Sequence, residues 1–63
     1  MKTYLVAAFN SKNAKTYFLS DIVYAENENN AENKIIGKKY FYDFDQKRLL
    51  AVCRKAEVIR EVI

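Results

Sequence analysis

The stretch TYLVAAF, Thr3 to Phe9, decides the fold. It holds no charge, glycine or proline, and Thr, Tyr, Val and Phe all suit a pleated, packed surface. Successive side chains of a strand point to opposite faces, so Tyr4, Val6 and Ala8 line one face and Leu5, Ala7 and Phe9 the other. Both sets are apolar, which predicts a central strand with something to bury on each side. Asn10 ends the apolar run, leaving it too short for a signal-peptide core with its cleavage site and far too short to span a bilayer.

Working outward, Asn10 to Lys15 (NSKNAK) is polar and rich in turn formers. Thr16 to Ala25 then alternates again, with Tyr17, Leu19, Asp21 and Val23 against Phe18, Ser20, Ile22 and Tyr24. Two such runs around a polar connection predict a β-hairpin. At Asn27 the pattern changes to a helix. Asn27 or Asn29 can cap it by accepting a backbone N–H, and Asn29 with Glu32 has the spacing of a capping box. Ala31 and Ile35 lie four apart on one helical face, and Gly37 suits a helix end in the left-handed conformation.

The charges follow the same plan. The chain carries 11 Lys and Arg against 8 Asp and Glu, a net charge of +3. Glu26, Glu28 and Glu32 stand near the helix start without a cation among them, and Lys34, Lys38 and Lys39 stand about its other end. This split complements the helix dipole; a dipolar surface of this kind also steers association without naming a partner.

Lys38 to Phe44 reads as extended, with Tyr40, Tyr42 and Phe44 on one face, and residues 48–54 read as a further strand. The end of the chain fits two periods. Leu49, Val52, Cys53, Ala56, Ile59 and Ile63 fall at helical intervals, whereas residues 56–63 are rich in β-branched side chains. The expected architecture is one α+β domain over residues 1–63: a small antiparallel sheet, made of the N-terminal hairpin and one or two C-terminal strands, with one helix packed on a face.

The order of hairpin, then IVYAENENNA (residues 22–31), then AEVIREVI (residues 56–63) resembles many short proteins of phages and other mobile elements. Those share two strands, a helix entered through A-x-N-x-x-x-A, and a C-terminal strand. The resemblance covers about residues 3–36 and 56–63 and implies a ββαβ-type fold. It also implies an accessory role, such as inhibiting a host defence or metabolic enzyme in an anti-CRISPR-like manner. It carries over no catalytic residue, and residues 38–55 have no counterpart in it.

Composition argues against catalysis. There is no histidine, so the commonest general base is missing, and Cys53 has no histidine to activate it. Its apolar setting in LLAVC marks it as a buried structural thiol. Asp43 and Asp45 fall on one side of a strand but lack further ligands for a metal. No cofactor is expected. One cysteine allows no intrachain disulfide and fits a reducing, cytoplasmic interior. A core this small gives roughly 3–5 kcal/mol, so a chain of this length is expected to self-associate.

The candidate site is KKYFYDFDQKR, residues 38–48. Tyr and Arg are enriched at protein interfaces, so Lys38, Lys39, Tyr40, Tyr42, Lys47 and Arg48 form a candidate partner-binding set, with another protein as the expected partner. The alternative is a nucleic-acid module in which bases stack on the tyrosines and the cations hold phosphate. Lys39, Phe41 and Asp43, however, occupy positions where the aromatic strand of an RNA-recognition module needs small or aliphatic residues.

Overall fold

The computed structural model describes residues 1–43, 45 and 48–63. In chain order it forms strands β1 (Lys2–Phe9) and β2 (Leu19–Ala25), helix α1 (Glu28–Ile35), and strands β3 (Lys39–Asp43), β4 (Arg48–Val52) and β5 (Lys55–Val62). The main sheet has the order β2-β1-β5 and is antiparallel throughout, while β3 and β4 pair separately as a second hairpin. The fold is therefore α+β, with α1 packed on one face of a three-stranded sheet.

The doubly apolar run sits in the centre as β1 and is paired along both sides. Its Tyr4, Val6 and Ala8 face the helix and join Val23, Ala25, Ala31, Ile35, Cys53 and Ala56 in one cluster. This core is made of small side chains. Among the described residues four of its nine buried members are alanines, and the largest side chains shut off completely are Val6 and Cys53. Ala31 and Ile35, one turn apart, are the positions at which α1 lies on the sheet.

One boundary differs from the sequence reading, and two alternatives that it left open are decided. β2 starts at Leu19 rather than Thr16, because residues 10–18 fold back across the end of β1. Ser11 anchors that connection by accepting from Asn13 N through its hydroxyl and from Ala14 N through its carbonyl, both at 3.2 Å. The helix is capped by Asn27, whose side chain accepts from Asn30 N at 2.8 Å, rather than through an Asn29–Glu32 box. Glu32 instead reaches across to β5. Lastly, the helical spacing from Leu49 to Ile63 is not realised: β4 ends at Val52, and the chain runs on as the extended β5. Pairing with β1 gives β-branched Val58 and Val62 ladder partners in Val6 and Thr3, with Ile59 at the irregularity between them, and this overrides the helical period.

Gly37 makes the transition out of the helix, with φ at +89°, a left-handed value that side chains with a Cβ disfavour. The turn brings its N–H to the Cys53 carbonyl at 2.7 Å, and Cys53 N donates back to Lys38 O at 2.9 Å. The base of the β3–β4 hairpin is thereby fixed to the body of the domain.

Candidate interaction surface

The helix holds both outer strands of the sheet. Glu32 accepts from Val58 N on β5 at 3.0 Å, and the Lys34 ammonium donates to the Tyr24 carbonyl on β2. Asp21 accepts from Ile22 N at 2.9 Å, also on β2. Unpaired strand edges template the addition of another strand; here charged side chains occupy backbone groups on both outer strands. Only Lys34 of the three expected lysines lies in the last turn of the helix.

The opposite face of the sheet is built differently. Antiparallel register places Leu5 beside Ile22 on β2 and Arg60 on β5, and Thr3 between Tyr24 and Val62. Between Leu5 and Val6 the pairing with β5 shifts by one residue. Val58 faces the helix opposite Val6, so its neighbour Ile59 turns outward, and Arg60 beyond the bulge also lies on the outer side. On this outer face Ala7 and Phe9 of β1 are buried, and the cover seen among the described residues lies at the Phe9 end. There Phe9 is buried beneath Tyr17, which meets it edge-on at 6.2 Å, and the Lys55 ammonium lies 4.3 Å from the Phe9 ring centroid. Lys55 also donates to the Ala14 carbonyl at 3.2 Å and so holds the 10–18 connection down. Beyond that end Tyr24 is 64% exposed, Ile22 52% and Ile59 44%, with half-buried Leu5 between Ile22 and Arg60 and half-buried Val62 across Thr3 from Tyr24.

The residues singled out in the sequence separate into two groups. Tyr40 turns inward. Its ring packs edge-on against Phe18 at 5.5 Å and against the core cluster, and its hydroxyl is buried with no hydrogen-bond partner among the described residues. Burial, then the neighbouring Asp21 carboxylate, then Cys53 push its pKa up to about 12. Lys38 is exposed but engaged, 3.2 Å from Asp21 and 5.4 Å from the centroid of the Tyr40 ring. Lys39 and Arg48 are exposed near the two ends of the hairpin's paired strands. Lys47 lies outside the described residues, as does the side chain of Tyr42. The structure thus joins Lys38 and Tyr40 into one packed cluster with Asp21 and Phe18, and leaves Lys39 apart from it.

Cys53 is buried, with its thiol 3.3 Å from the Lys55 carbonyl, and burial raises its pKa. Among the described residues no group of three His, Cys, Asp or Glu side chains could hold a metal ion, and no helix is long and apolar enough to cross a membrane. A shallow depression beside the helix is lined by Met1, Glu26, Asn30, Asn33 and Lys34.

No family model, curated protein or solved structure matches the chain.

The outer face escaped the sequence reading, although a signal for it was present. Ile22 and Tyr24 alternate with buried Val23 and Ala25, so β2 carries large apolar side chains on its solvent side as well.

Proposed function

We propose that this chain is a small, non-catalytic protein-binding domain that takes its partner on the open face of the β2-β1-β5 sheet. The observation that carries this reading is the group of large apolar side chains on that face, exposed Ile22 and Tyr24 around half-buried Leu5 with Val62 and Ile59 among the polar Thr3 and Arg60, on a sheet whose other face is already occupied by α1. Exposed apolar side chains rimmed by polar ones mark interaction sites. Tyr24 in that group offers the large, rigid contact area typical of interface anchors. A protein that acts by covering part of another protein, as the resemblance to phage accessory proteins implies, needs a face of this kind and no catalytic group. Lys39 and Arg48 lie on the separate hairpin and would add charge steering rather than contact area.

Photo-crosslinking tests this reading. Benzoylphenylalanine placed at position 24 should give protein adducts that survive nuclease, whereas the same group at position 39 should give few. Nuclease-sensitive adducts at position 39, with none at position 24, would transfer function to the cationic hairpin and make the chain a nucleic-acid binder.

A further inference from the structure

We propose that the end of the main sheet at which β1 finishes is a binding surface for single-stranded nucleic acid, separate from the open face and independent of what that face binds. Charge, an exposed ring and the way the 10–18 connection is held point to it together.

The fold sorts the charges by end. Residues 1–20 hold Lys2, Lys12 and Lys15 and no acid. Glu26 and Glu28 follow β2, whose last residue pairs with Lys2 at the start of β1, and Glu61 pairs with Tyr4 close by. These acids therefore stand where β1 begins. At its other end, Lys12 and Lys15 lie in the connection that leaves Phe9, and Arg54 N donates to the Phe9 carbonyl at 2.7 Å. Lys55 is there too, but it lies 3.8 Å from Glu57, which answers its charge. Lys38 is answered in the same way by Asp21 at 3.2 Å. Lys12, Lys15 and Arg54 are exposed and enter no ion pair among the described residues. Such a surface attracts a polyanion.

The ring selects which polyanion. Tyr17, two residues on from Lys15, is 48% exposed and meets Phe9 at an interplanar angle of 80° rather than stacked on it. Bases stack on exposed aromatic rings while neighbouring cations hold the phosphates. An acidic peptide has no such use for the ring, and a duplex keeps the faces of its bases stacked. Exposed Asn10 and Asn13 add amide donors suited to phosphate oxygens.

The platform is set before a ligand arrives. Phe18 N donates to the Ala8 carbonyl at 3.0 Å, and the Lys55 ammonium holds the Ala14 carbonyl at 3.2 Å. Tyr17 lies between these two ties, so little of the connection has to be ordered on binding.

Fluorescence anisotropy of labelled oligothymidylate and oligouridylate of roughly 15 nucleotides, titrated with the full chain from about 20 to 200 mM salt, tests this. Three neutralised phosphates give log affinity a slope of about −2 against log salt. Lys12→Gln, Lys15→Gln and Arg54→Gln should each flatten that slope by about 0.7. Tyr17→Leu keeps an apolar cover over Phe9 without the ring. It should weaken binding by about fivefold or more at unchanged slope, whereas Tyr17→Phe should bind like wild type. Arg60→Gln, at an exposed cation opposite Leu5, should leave the slope unchanged. Circular dichroism checks that each variant is folded. No binding at the lowest salt overturns the proposal. So does a duplex that binds more tightly than the single strand. A Tyr17→Leu chain as tight as wild type, with polyglutamate displacing the oligonucleotides, overturns it in favour of an acidic protein segment. Each of these results leaves the open face to its own test by crosslinking at position 24.

Discussion

The two faces of β1 begin alike and end differently. Tyr4, Val6 and Ala8 on one side and Leu5, Ala7 and Phe9 on the other are comparably apolar, yet the first set is buried throughout, whereas in the second Ala7 and Phe9 are buried, Tyr17 and Lys55 closing over Phe9, and Leu5 stays half-buried between exposed Ile22 and Arg60. The difference lies in what the neighbouring elements bring. On the helix side a cap at Asn27, two small contact positions and two charged ties to the outer strands fix a lid. On the far side, among the described residues, the 10–18 connection and Lys55 give cover at one end. A strand pattern therefore shows that two faces need cover, but not that the same chain provides both.

The sharpest way to break this comparison is to truncate one residue on each side. Ile35→Ala, beneath the helix, should cost about 2–4 kcal/mol, the usual range for a buried isoleucine, and should leave little folded protein in a domain of this size. Ile22→Ala, on the open face, should change the stability of the monomer by less than about 0.5 kcal/mol. Urea unfolding at low protein concentration measures both, and equal losses would contradict the claim that the faces differ.

Next is the tie that keeps the lid in place. Glu32→Ala removes a charged acceptor from the Val58 N–H and should cost about 1–2 kcal/mol, with Glu32→Gln recovering part of it. Glu61→Ala should be almost neutral, since its exposed contact with Lys2 is 4.0 Å long. Amide exchange at Val58, faster in Glu32→Ala than in Glu61→Ala, would locate the loss. Gly37→Ala should cost about 1 kcal/mol through backbone strain alone, because a Cβ there meets nothing within 4 Å.

At Tyr40 the expected change runs in the other direction, towards a gain. Its hydroxyl is buried without a partner, so Tyr40→Phe should leave stability unchanged or raise it by up to about 1 kcal/mol. The pH dependence has a definite sign. The folded protein holds this phenol neutral up to about 12 against an ordinary value of 10.0. Its contribution is therefore fully present below pH 10 and is lost as pH rises through 12. Alkaline unfolding followed by circular dichroism, with tyrosinate absorbance as the companion signal, should show this loss in wild type and a weaker one in Tyr40→Phe.

Much of the fold was legible because it rests on short-range rules. Period-two alternation located β1 and most of β2, Gly37 marked the helix end, and Asn27 was one of two caps that the spacing allowed. The unreadable parts depend on distant partners. Whether residues 55–62 are strand or helix is decided by pairing with β1, which lies more than forty-five residues earlier in the chain. Glu32 forgoes a local capping box for the Val58 N–H, 26 residues away. The candidate site was the least legible. Aromatic density drew attention to Tyr40, whereas its ring packs against Phe18 and the core; the exposed apolar side chains of β2 and β5 were dispersed through alternating strands that looked ordinary one at a time.

The two sides of the sheet differ in exposure: α1 closes one, and Ile22, Tyr24 and Ile59 stand open on the other. Methyl and amide relaxation in the presence of a soluble paramagnetic probe tests this most directly. Strong enhancement is expected at Ile22, Tyr24 and Ile59, and little at Val6, Ala31 and Ile35. Equal enhancement at both sets would contradict it.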